Sequence, residues 1–195
     1  LVTADDVKAY VGGIGLREGE YLVQGSSIPT TTKPNGNYAY LSTVNGTLTL
    51  ELHNYHYAGM GTFTSKNTAY GIYSTSALKI VAGGRNTIGP MSAPVERYTS
   101  YGIGKGETVS ITSNANGVLN ITGVSTAISS SRYVMVSGNL NITDVTSGIS
   151  CTHAQAMGGI NFQSGNVNIN CTGTAISVTG NYINFSGADV TINCK

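Results

Sequence analysis

The sequence predicts an all-β fold, and within that class a single-domain right-handed parallel β-helix of about five turns, because three short phrases recur in a fixed order. The first phrase alternates an aliphatic residue with Asn or Thr. Its copies span residues 119–122, 140–143, 167–170 and 190–193, so they lie 21, 27 and 23 residues apart. Alternation with a period of two is typical of a strand with one buried and one solvated face.

The other two phrases recur in step with the first. The second places apolar residues on either side of one variable position, at residues 134–136, 160–162 and 183–185, and Ser-Gly follows each copy closely. The third is a small residue followed by Ile, and its Ile residues mark five turns of about 26 residues on average. These are Ile72, Ile103, Ile128, Ile149 and Ile176. Because so short a strand cannot bury its apolar face alone, each turn of three strands must lie on the next.

Residues 1–46 do not follow the repeat and are predicted to form an N-terminal cap, whereas residues 47–195 form the β-helix of the same structural domain. A solenoid needs an atypical first unit to cover the open end of its core. Segments 10–13 and 21–23 are candidate strands of this cap.

Along the remaining chain, Leu48-Thr49-Leu50 is assigned to the third phrase, and the first full turn begins with segments 70–72 and 78–80. Residues 89–100 and 151–158 are predicted to be insertions that form outer loops.

Three cysteines, an odd number, do not make a disulfide framework. Cys171 and Cys194 follow the same Ile-Asn pair in successive copies of the first phrase, which places them at equivalent corners of neighbouring turns. Their Cα atoms would then lie about 4.8 Å apart, a distance that a disulfide tolerates. We expect two stacked free thiols packed as small apolar groups, with a disulfide as the alternative. Cys151 has no aligned partner.

The composition narrows the classes of function. Charged residues make up 10% of the chain, against roughly 25% in an ordinary soluble domain. The net charge is +1 and no basic cluster occurs, so nucleic-acid binding is not expected. No apolar run approaches the length of about 18 residues that a spanning helix needs, so membrane insertion is not expected either.

Carboxylates and histidines do not form a recognisable catalytic or metal-binding pattern. Polysaccharide lyases and hydrolases need clustered carboxylates. The nine carboxylates here are scattered: Asp5, Asp6, Glu18, Glu20, Glu51, Glu96, Glu107, Asp144 and Asp189. His53 and His56 lack a third ligand at a fixed spacing. We therefore assign no catalytic residue and expect no metal or cofactor.

Five stretches in the first half of the chain carry a resemblance to a known family: YVGG at 10–13, GTLTLELHNY at 46–55, AYGIY at 69–73, LKI at 78–80 and GRNTI at 84–88. Together they resemble the repeat modules of large secreted surface proteins from gut and anaerobic Gram-positive bacteria. The resemblance covers roughly residues 8–195. It implies an extracellular or cell-surface β-helix, with neighbouring domains in a longer chain, of a type described as polysaccharide-binding or adhesive. It carries over no catalytic residue, because the matching positions are aliphatic residues and turn glycines.

Two sets of residues are candidate ligand-binding surfaces. Tyr is abundant, with 12 residues and no Trp, and it concentrates in the early turns. Sugar recognition uses aromatic rings together with amide and hydroxyl groups. The candidate tyrosines are Tyr55, Tyr57, Tyr70, Tyr73, Tyr98 and Tyr101, and the candidate amides on the outward face of the first phrase are Asn120, Asn141 and Asn168. The alternatives are tyrosines that cap the core and a simply solvated sheet face.

Three hypotheses for the function follow. A non-catalytic module that binds a polysaccharide, or a host or cell-wall glycan, is favoured by the tyrosines and amides. A structural stalk or spacer of a surface protein is the alternative, and a polysaccharide-degrading enzyme is the second alternative.

Overall fold

A computed structural model describes residues 6–92, 98–104, 106–153, 158–180 and 182–195. Within these ranges the protein is all-β, with 20 strands in two mixed sheets that do not close, and no α-helix. No helix in the described ranges is therefore long and apolar enough to cross a membrane.

The strands are short and follow one another closely along the chain. In chain order they are β1 (Ala9–Val11), β2 (Ile14–Leu16), β3 (Tyr21–Val23), β4 (Tyr38–Val44), β5 (Thr47–His53), β6 (His56–Gly59), β7 (Thr62–Ser65), β8 (Thr68–Tyr73), β9 (Leu78–Gly83), β10 (Arg85–Met91), β11 (Thr99–Gly104), β12 (Thr108–Ser113), β13 (Val118–Ser130), β14 (Tyr133–Ser137), β15 (Asn139–Cys151), β16 (Gly159–Ser164), β17 (Asn166–Cys171), β18 (Ile176–Val178), β19 (Tyr182–Phe185) and β20 (Asp189–Cys194).

Each predicted phrase forms its own ladder of parallel strands. The first ladder runs β6, β10, β13, β15, β17 and β20, and Ile121, Ile142 and Ile169 are in register along it. The second ladder runs β5, β9, β12, β14, β16 and β19. The third runs β8, β11, β13, β15 and β18. The predicted alignment of the five Ile residues of the third phrase is confirmed, because each pairs with the next.

Two strands are longer than predicted, because β13 and β15 each run through the first and the third ladder with 13 residues. Each turns a corner where one residue has a positive φ, at Gly123 with 62° and at Asp144 with 52°. Thr122 pairs with Thr143 before the corner and Val124 with Val145 after it. The left-handed conformation, which Gly adopts freely and Asp tolerates, turns the chain while the ladder continues.

The N-terminal segment pairs differently from the ladders. Strands β1 to β4 make only antiparallel pairs, among themselves and with β5 and β8. The candidate strand at 21–23 is confirmed as β3. The one at 10–13 is confirmed only for Tyr10 and Val11, because β1 ends at Val11 and Gly12 and Gly13, both with positive φ, form the turn to β2.

The assignment of Leu48-Thr49-Leu50 to the third phrase is wrong. These residues lie in β5, where Leu50 pairs with Ile80 in the second ladder. The error has a physical reason, because all ladders share the same alternation of aliphatic and polar residues.

The core is built from the inward positions of the ladders. Ile128 and Ile142, which the sequence places inside, are fully buried, as are Leu50, Ile80 and Phe162. Burying a side chain of this size contributes about 1.5–3 kcal/mol. The ladders are therefore held together by stacked aliphatic columns as well as by backbone hydrogen bonds.

The expectation of free thiols at Cys171 and Cys194 is wrong, because the two form a disulfide. They are in register on β17 and β20, and their Cα atoms are 4.7 Å apart. A disulfide that spans 23 residues contributes roughly 3 kcal/mol to stability in the chain-entropy account. Cys151 is free and buried, and its thiol donates to the Arg132 carbonyl oxygen at 2.9 Å.

The two predicted insertions are only partly described. The first was expected from residue 89, but β10 continues to Met91, and residues 93–97 lie outside the described ranges. In the second, Cys151 is the last residue of β15, and residues 154–157 lie outside the described ranges.

A cleft lined by tyrosine as the candidate functional site

A cleft with a volume of about 630 Å³ brings together two of the predicted tyrosines, Tyr55 and Tyr57. Four separate chain segments line it: the β1–β2 turn, the loop after β3, residues 55–58 and strand β10. We call it the tyrosine cleft. Its volume is within the range of about 300–1,000 Å³ that is usual for small-molecule sites.

The polar groups that line the tyrosine cleft are amides, hydroxyls and one imidazole, with no carboxylate, ammonium or guanidinium group among its described lining residues. They are Gln24, Ser26, Ser27, Tyr55, His56, Tyr57 and Thr87. Amide, hydroxyl and imidazole groups donate and accept hydrogen bonds in the way that sugar hydroxyls require. The described lining therefore suits a neutral, hydroxyl-rich ligand.

Tyr55 forms the floor of the cleft and is only 4% exposed. Its backbone N–H donates to the side-chain oxygen of the fully buried Asn86 at 2.9 Å, and its carbonyl accepts from Thr87 N at 2.9 Å. The Asn86 amide nitrogen in turn donates to nearby backbone carbonyls. A buried amide with several partners fixes its neighbours, so the floor is rigid.

Tyr57 forms one wall, and two glycines fix its ring. A Cβ at Gly12, whose φ is +60°, would overlap the ring of Tyr57. The ring can therefore occupy this position only because residue 12 is glycine. The Tyr57 hydroxyl accepts from Gly61 N at 2.6 Å. Since a phenol also carries one donor hydrogen, Tyr57 still has a proton to donate.

Both phenols stay neutral over the physiological pH range. Burial raises the pKa of Tyr55 to about 12, and the neighbouring Tyr57 adds to the rise. Burial also raises the pKa of Tyr57, although the hydrogen bond from Gly61 lowers it. The cleft therefore presents phenol groups and not phenolates.

A side-chain clamp holds another part of the cleft lining. The Gln24 amide nitrogen donates to the His56 carbonyl oxygen, and His56 N donates to the Gln24 amide oxygen at 2.7 Å. Since these bonds use only the backbone of His56 and its side chain is exposed, the imidazole is presented to solvent beside the cleft.

Three other predicted tyrosines pack against one another at a different place. Tyr70 and Tyr101 are paired on β8 and β11, with ring centroids 4.8 Å apart and planes at 16°. Tyr73 lies 5.2 Å from Tyr70 and 6.0 Å from Tyr10. Tyr70 is only 7% exposed, and burial, followed by Tyr101 and Tyr73, raises its pKa to about 12. Tyr73 and Tyr101 remain half-buried, whereas Tyr70 offers little surface.

Tyr98 is separate from both groups. Its ring centroid lies 5.6 Å from that of Phe63, and its hydroxyl donates to the Met60 carbonyl oxygen at 2.6 Å. It lines a shallower groove of about 460 Å³ together with Ser100, Ser125 and Asp144.

The predicted asparagines form a ladder of side-chain amides along the first ladder. Asn168 donates to Asn141 at 2.9 Å, Asn141 donates to Asn120 at 3.1 Å, and Asn120 donates to the Asn86 backbone oxygen at 2.9 Å. Each amide thus uses part of its hydrogen-bonding capacity to join neighbouring strands. The ladder of amides ends on Asn86, whose side chain accepts the hydrogen bond from the Tyr55 backbone.

Sequence reasoning missed a further aromatic cluster and a groove. Tyr21 stacks on Tyr40 at 4.1 Å, and Tyr38 packs edge-on against Tyr21 and stacks on His53. The sequence feature that could have revealed this cluster is the spacing of Tyr38 and Tyr40, which are two residues apart on one strand and therefore lie on one face. A groove of about 410 Å³ crosses the outward side of the second ladder, where its polar lining includes Lys79, Ser110, Thr112, Ser137 and Gln163.

Among the described residues, no group of three or more His, Cys, Asp or Glu side chains lies close enough to hold a metal ion. Comparison of the chain with protein-family models, with curated protein sequences and with solved structures finds no match.

Proposed function

We propose that this chain is a non-catalytic surface module that binds a neutral polysaccharide through the tyrosine cleft. The observation that carries the proposal is the cleft itself: the half-buried ring of Tyr57, a floor held rigid beneath it by the buried Tyr55, and a rim of amide, hydroxyl and imidazole groups. Aromatic faces and hydroxyl-matching polar groups are the combination that binds pyranose rings.

The proposed architecture is a right-handed parallel β-helix, with residues 1–46 as its cap. Three ladders of parallel strands, each built from one phrase of the repeat, support this architecture. A rigid scaffold of this kind would hold the four cleft segments in place without ordering them at the moment of binding. Little conformational entropy would then be lost on association.

We further propose an extracellular or cell-surface location, in a module of the kind found in the surface proteins of gut and anaerobic Gram-positive bacteria. The disulfide between Cys171 and Cys194 supports an oxidising compartment. The low content of charged residues and the resemblance of the early turns to such modules support the same assignment.

A structural stalk is the second candidate, and one observation favours it. The amides of Asn120, Asn141 and Asn168 join neighbouring strands and so serve the rigidity of the ladder. A stalk needs such rigidity and needs no ligand.

The test is a glycan array probed with the purified protein, followed by titration of any ligand into two variants. His56→Ala removes an exposed imidazole at the cleft rim while it leaves the Gln24 clamp to the backbone intact. His53→Ala is the matched control, because that imidazole stacks on Tyr38 outside the cleft lining. We expect glycan binding that His56→Ala weakens by about fivefold or more and His53→Ala leaves unchanged, as for the loss of one hydrogen bond.

Two results would contradict the proposal. If the folded protein bound no glycan, the structural stalk would become the favoured function. Release of reducing sugar or of unsaturated products by the wild-type protein, lost on substitution of one carboxylate, would make the chain an enzyme.

A further inference from the structure

The groove on the outward side of the second ladder is separate from the tyrosine cleft. It has a volume of about 410 Å³ and runs across the neighbouring strands β9, β12, β14 and β16. We call it the ladder groove, and it shares no described lining residue with the cleft. Since neighbouring strands lie about 4.8 Å apart, these four strands span about 14 Å, which is longer than one sugar ring. The ladder groove therefore has room for a short stretch of an extended chain.

The described lining of the ladder groove carries one charge, the ammonium group of the half-buried Lys79. Glu51 on β5 and Glu107 just before β12 belong to neighbouring strands. Neither of them lines the groove, and neither forms an ion pair with Lys79 within the described ranges. A groove lined by charge of one sign raises the local concentration of ions of the opposite sign. The ladder groove therefore favours an anionic ligand.

The polar side chains along the ladder groove present hydrogen-bond donors. Ser110 pairs with Lys79, so the two side chains leave the same face of neighbouring strands. Ser137 donates its hydroxyl hydrogen to the amide oxygen of Gln163 at 2.5 Å, which leaves the N–H groups of that amide to donate into the groove. An ammonium group with hydroxyl and amide donors beside it matches a carboxylate and the oxygens around it.

Met135 adds an apolar contact in the middle of the ladder groove. It pairs with Ser110 on one side and with Asn161 on the other, and it is 36% exposed. Sites that bind organic ligands combine apolar side chains with a few placed polar groups. The side chain of Met135 is therefore in position to pack against the apolar face of a sugar ring.

An extended peptide fits the ladder groove less well than a glycan does. Each of the four strands is paired on both sides, from β5 through to β19. An added peptide strand needs a free sheet edge with unpaired N–H and C=O groups. The groove lies on the face of the sheet and offers side chains, so its occupant has to be recognised by its own polar groups.

We propose that the ladder groove is a second binding site of this chain, which takes a segment of an acidic polysaccharide with a sugar carboxylate at Lys79 and a ring against Met135. The proposal does not rest on the neutral glycan proposed for the tyrosine cleft, because the two sites have different linings and ligands of different charge.

Calorimetric titration with a galacturonate hexamer and with its methyl ester tests the proposal. The ester keeps every hydroxyl group but removes the charges. We expect the acid to bind, with an affinity that falls as salt is added, and the ester to bind at least about tenfold more weakly. Lys79→Gln should weaken binding of the acid by about tenfold or more, whereas Lys79→Arg keeps the charge and should retain most of the affinity.

Two matched variants separate this site from other sources of binding. Lys66→Gln removes the same charge from an exposed residue between β7 and β8 and should leave binding of the hexamer unchanged. His56→Ala, at the rim of the tyrosine cleft, should also leave it unchanged. Lys79→Gln should unfold in urea at the wild-type midpoint, because its side chain lies outside the core.

Four results would overturn the proposal. They are no binding of the galacturonate hexamer, equal binding of the acid and its ester, an affinity that Lys79→Gln does not change, and equal binding of a glutamate hexapeptide with the same dependence on Lys79. The last result would make the ladder groove a site for acidic peptides. None of the four bears on the tyrosine cleft, whose test uses neutral glycans and His56→Ala.

Discussion

Individual side chains in the ladders lie either in the buried columns or on the outward side, and two positions on one strand can differ sharply. Ile142 on β15 is fully buried, whereas Thr146 on the same strand is exposed. A carboxylate in the column would lack a partner and would have to be desolvated or protonated.

Ile142→Asp is therefore expected to lower the free energy of unfolding by about 4 kcal/mol or more, while Thr146→Asp should change it by less than about 0.5 kcal/mol. Urea unfolding followed by circular dichroism measures both. Equal destabilisation by the two variants would show that the inward and outward positions of β15 are assigned wrongly.

Two tyrosines link stability to alkaline pH. The pKa values of Tyr55 and Tyr70 are raised to about 12 in the folded protein, above the usual value of about 10 in an unfolded chain. Between these values the folded state holds more protons than the unfolded state, so stability falls as pH rises from about 10 to about 12. Below pH 10 this contribution is fully present.

We expect the urea midpoint of the wild-type protein to fall steeply across this alkaline range. The double variant that combines Tyr55→Phe and Tyr70→Phe should show a shallower fall. Identical pH profiles for the wild type and the double variant would contradict the assignment of the shifted groups.

At the scale of elements, the amide ladder joins strands β13, β15 and β17. Asn141 is at its centre, where it donates to Asn120 and accepts from Asn168. Asn141→Asp keeps the hydrogen-bond acceptor for Asn168 but replaces the donor to Asn120 with a second oxygen. We therefore expect it to lower the free energy of unfolding by about 1–2 kcal/mol at neutral pH.

Acidification provides the control for this variant. Protonation of the new carboxyl restores a donor, so stability relative to the wild type should recover as pH falls below the pKa of that group. Thr146→Asp adds a carboxyl to the same strand without entering the ladder and should show no such recovery. If the loss of stability in Asn141→Asp persisted at acid pH, the broken amide ladder would not be its cause.

The elements also show how far the sequence could predict the structure. The columns through Ile128, Ile142 and Ile169 follow from period and spacing alone, because every copy of a phrase repeats the same alternation. The same uniformity misplaced Leu48-Thr49-Leu50, since alternation does not say which ladder a strand joins. It also left open the disulfide of Cys171 and Cys194, because the spacing allows both a bond and a simple stack.

For the site, the sequence could supply candidates but not their grouping. Tyr55 and Tyr57 were identified as candidates by composition, yet their partners Gln24 and Thr87 come from distant segments that the repeat does not relate. Tyr70 was a candidate for the same reason, and only the packing of Tyr73 and Tyr101 over it explains why it presents so little surface.

At the scale of the whole molecule, the tyrosine cleft depends on the N-terminal strands lying against the first strands of the ladders. Gln24, which follows β3, is hydrogen-bonded to the backbone of His56 on β6. Gly12, in the turn after β1, has no side chain and so leaves room for the ring of Tyr57. The proposed binding function therefore assigns the N-terminal strands a role in recognition.

Hydrogen exchange with and without a saturating neutral oligosaccharide tests this account most directly. We expect bound saccharide to protect backbone amides in residues 24–27 and 55–58, with little change in residues 70–73 and 98–101. Protection confined to the latter segments, or to the outward side of the first ladder around Asn141, would contradict the account, and so would the absence of protection at saturation.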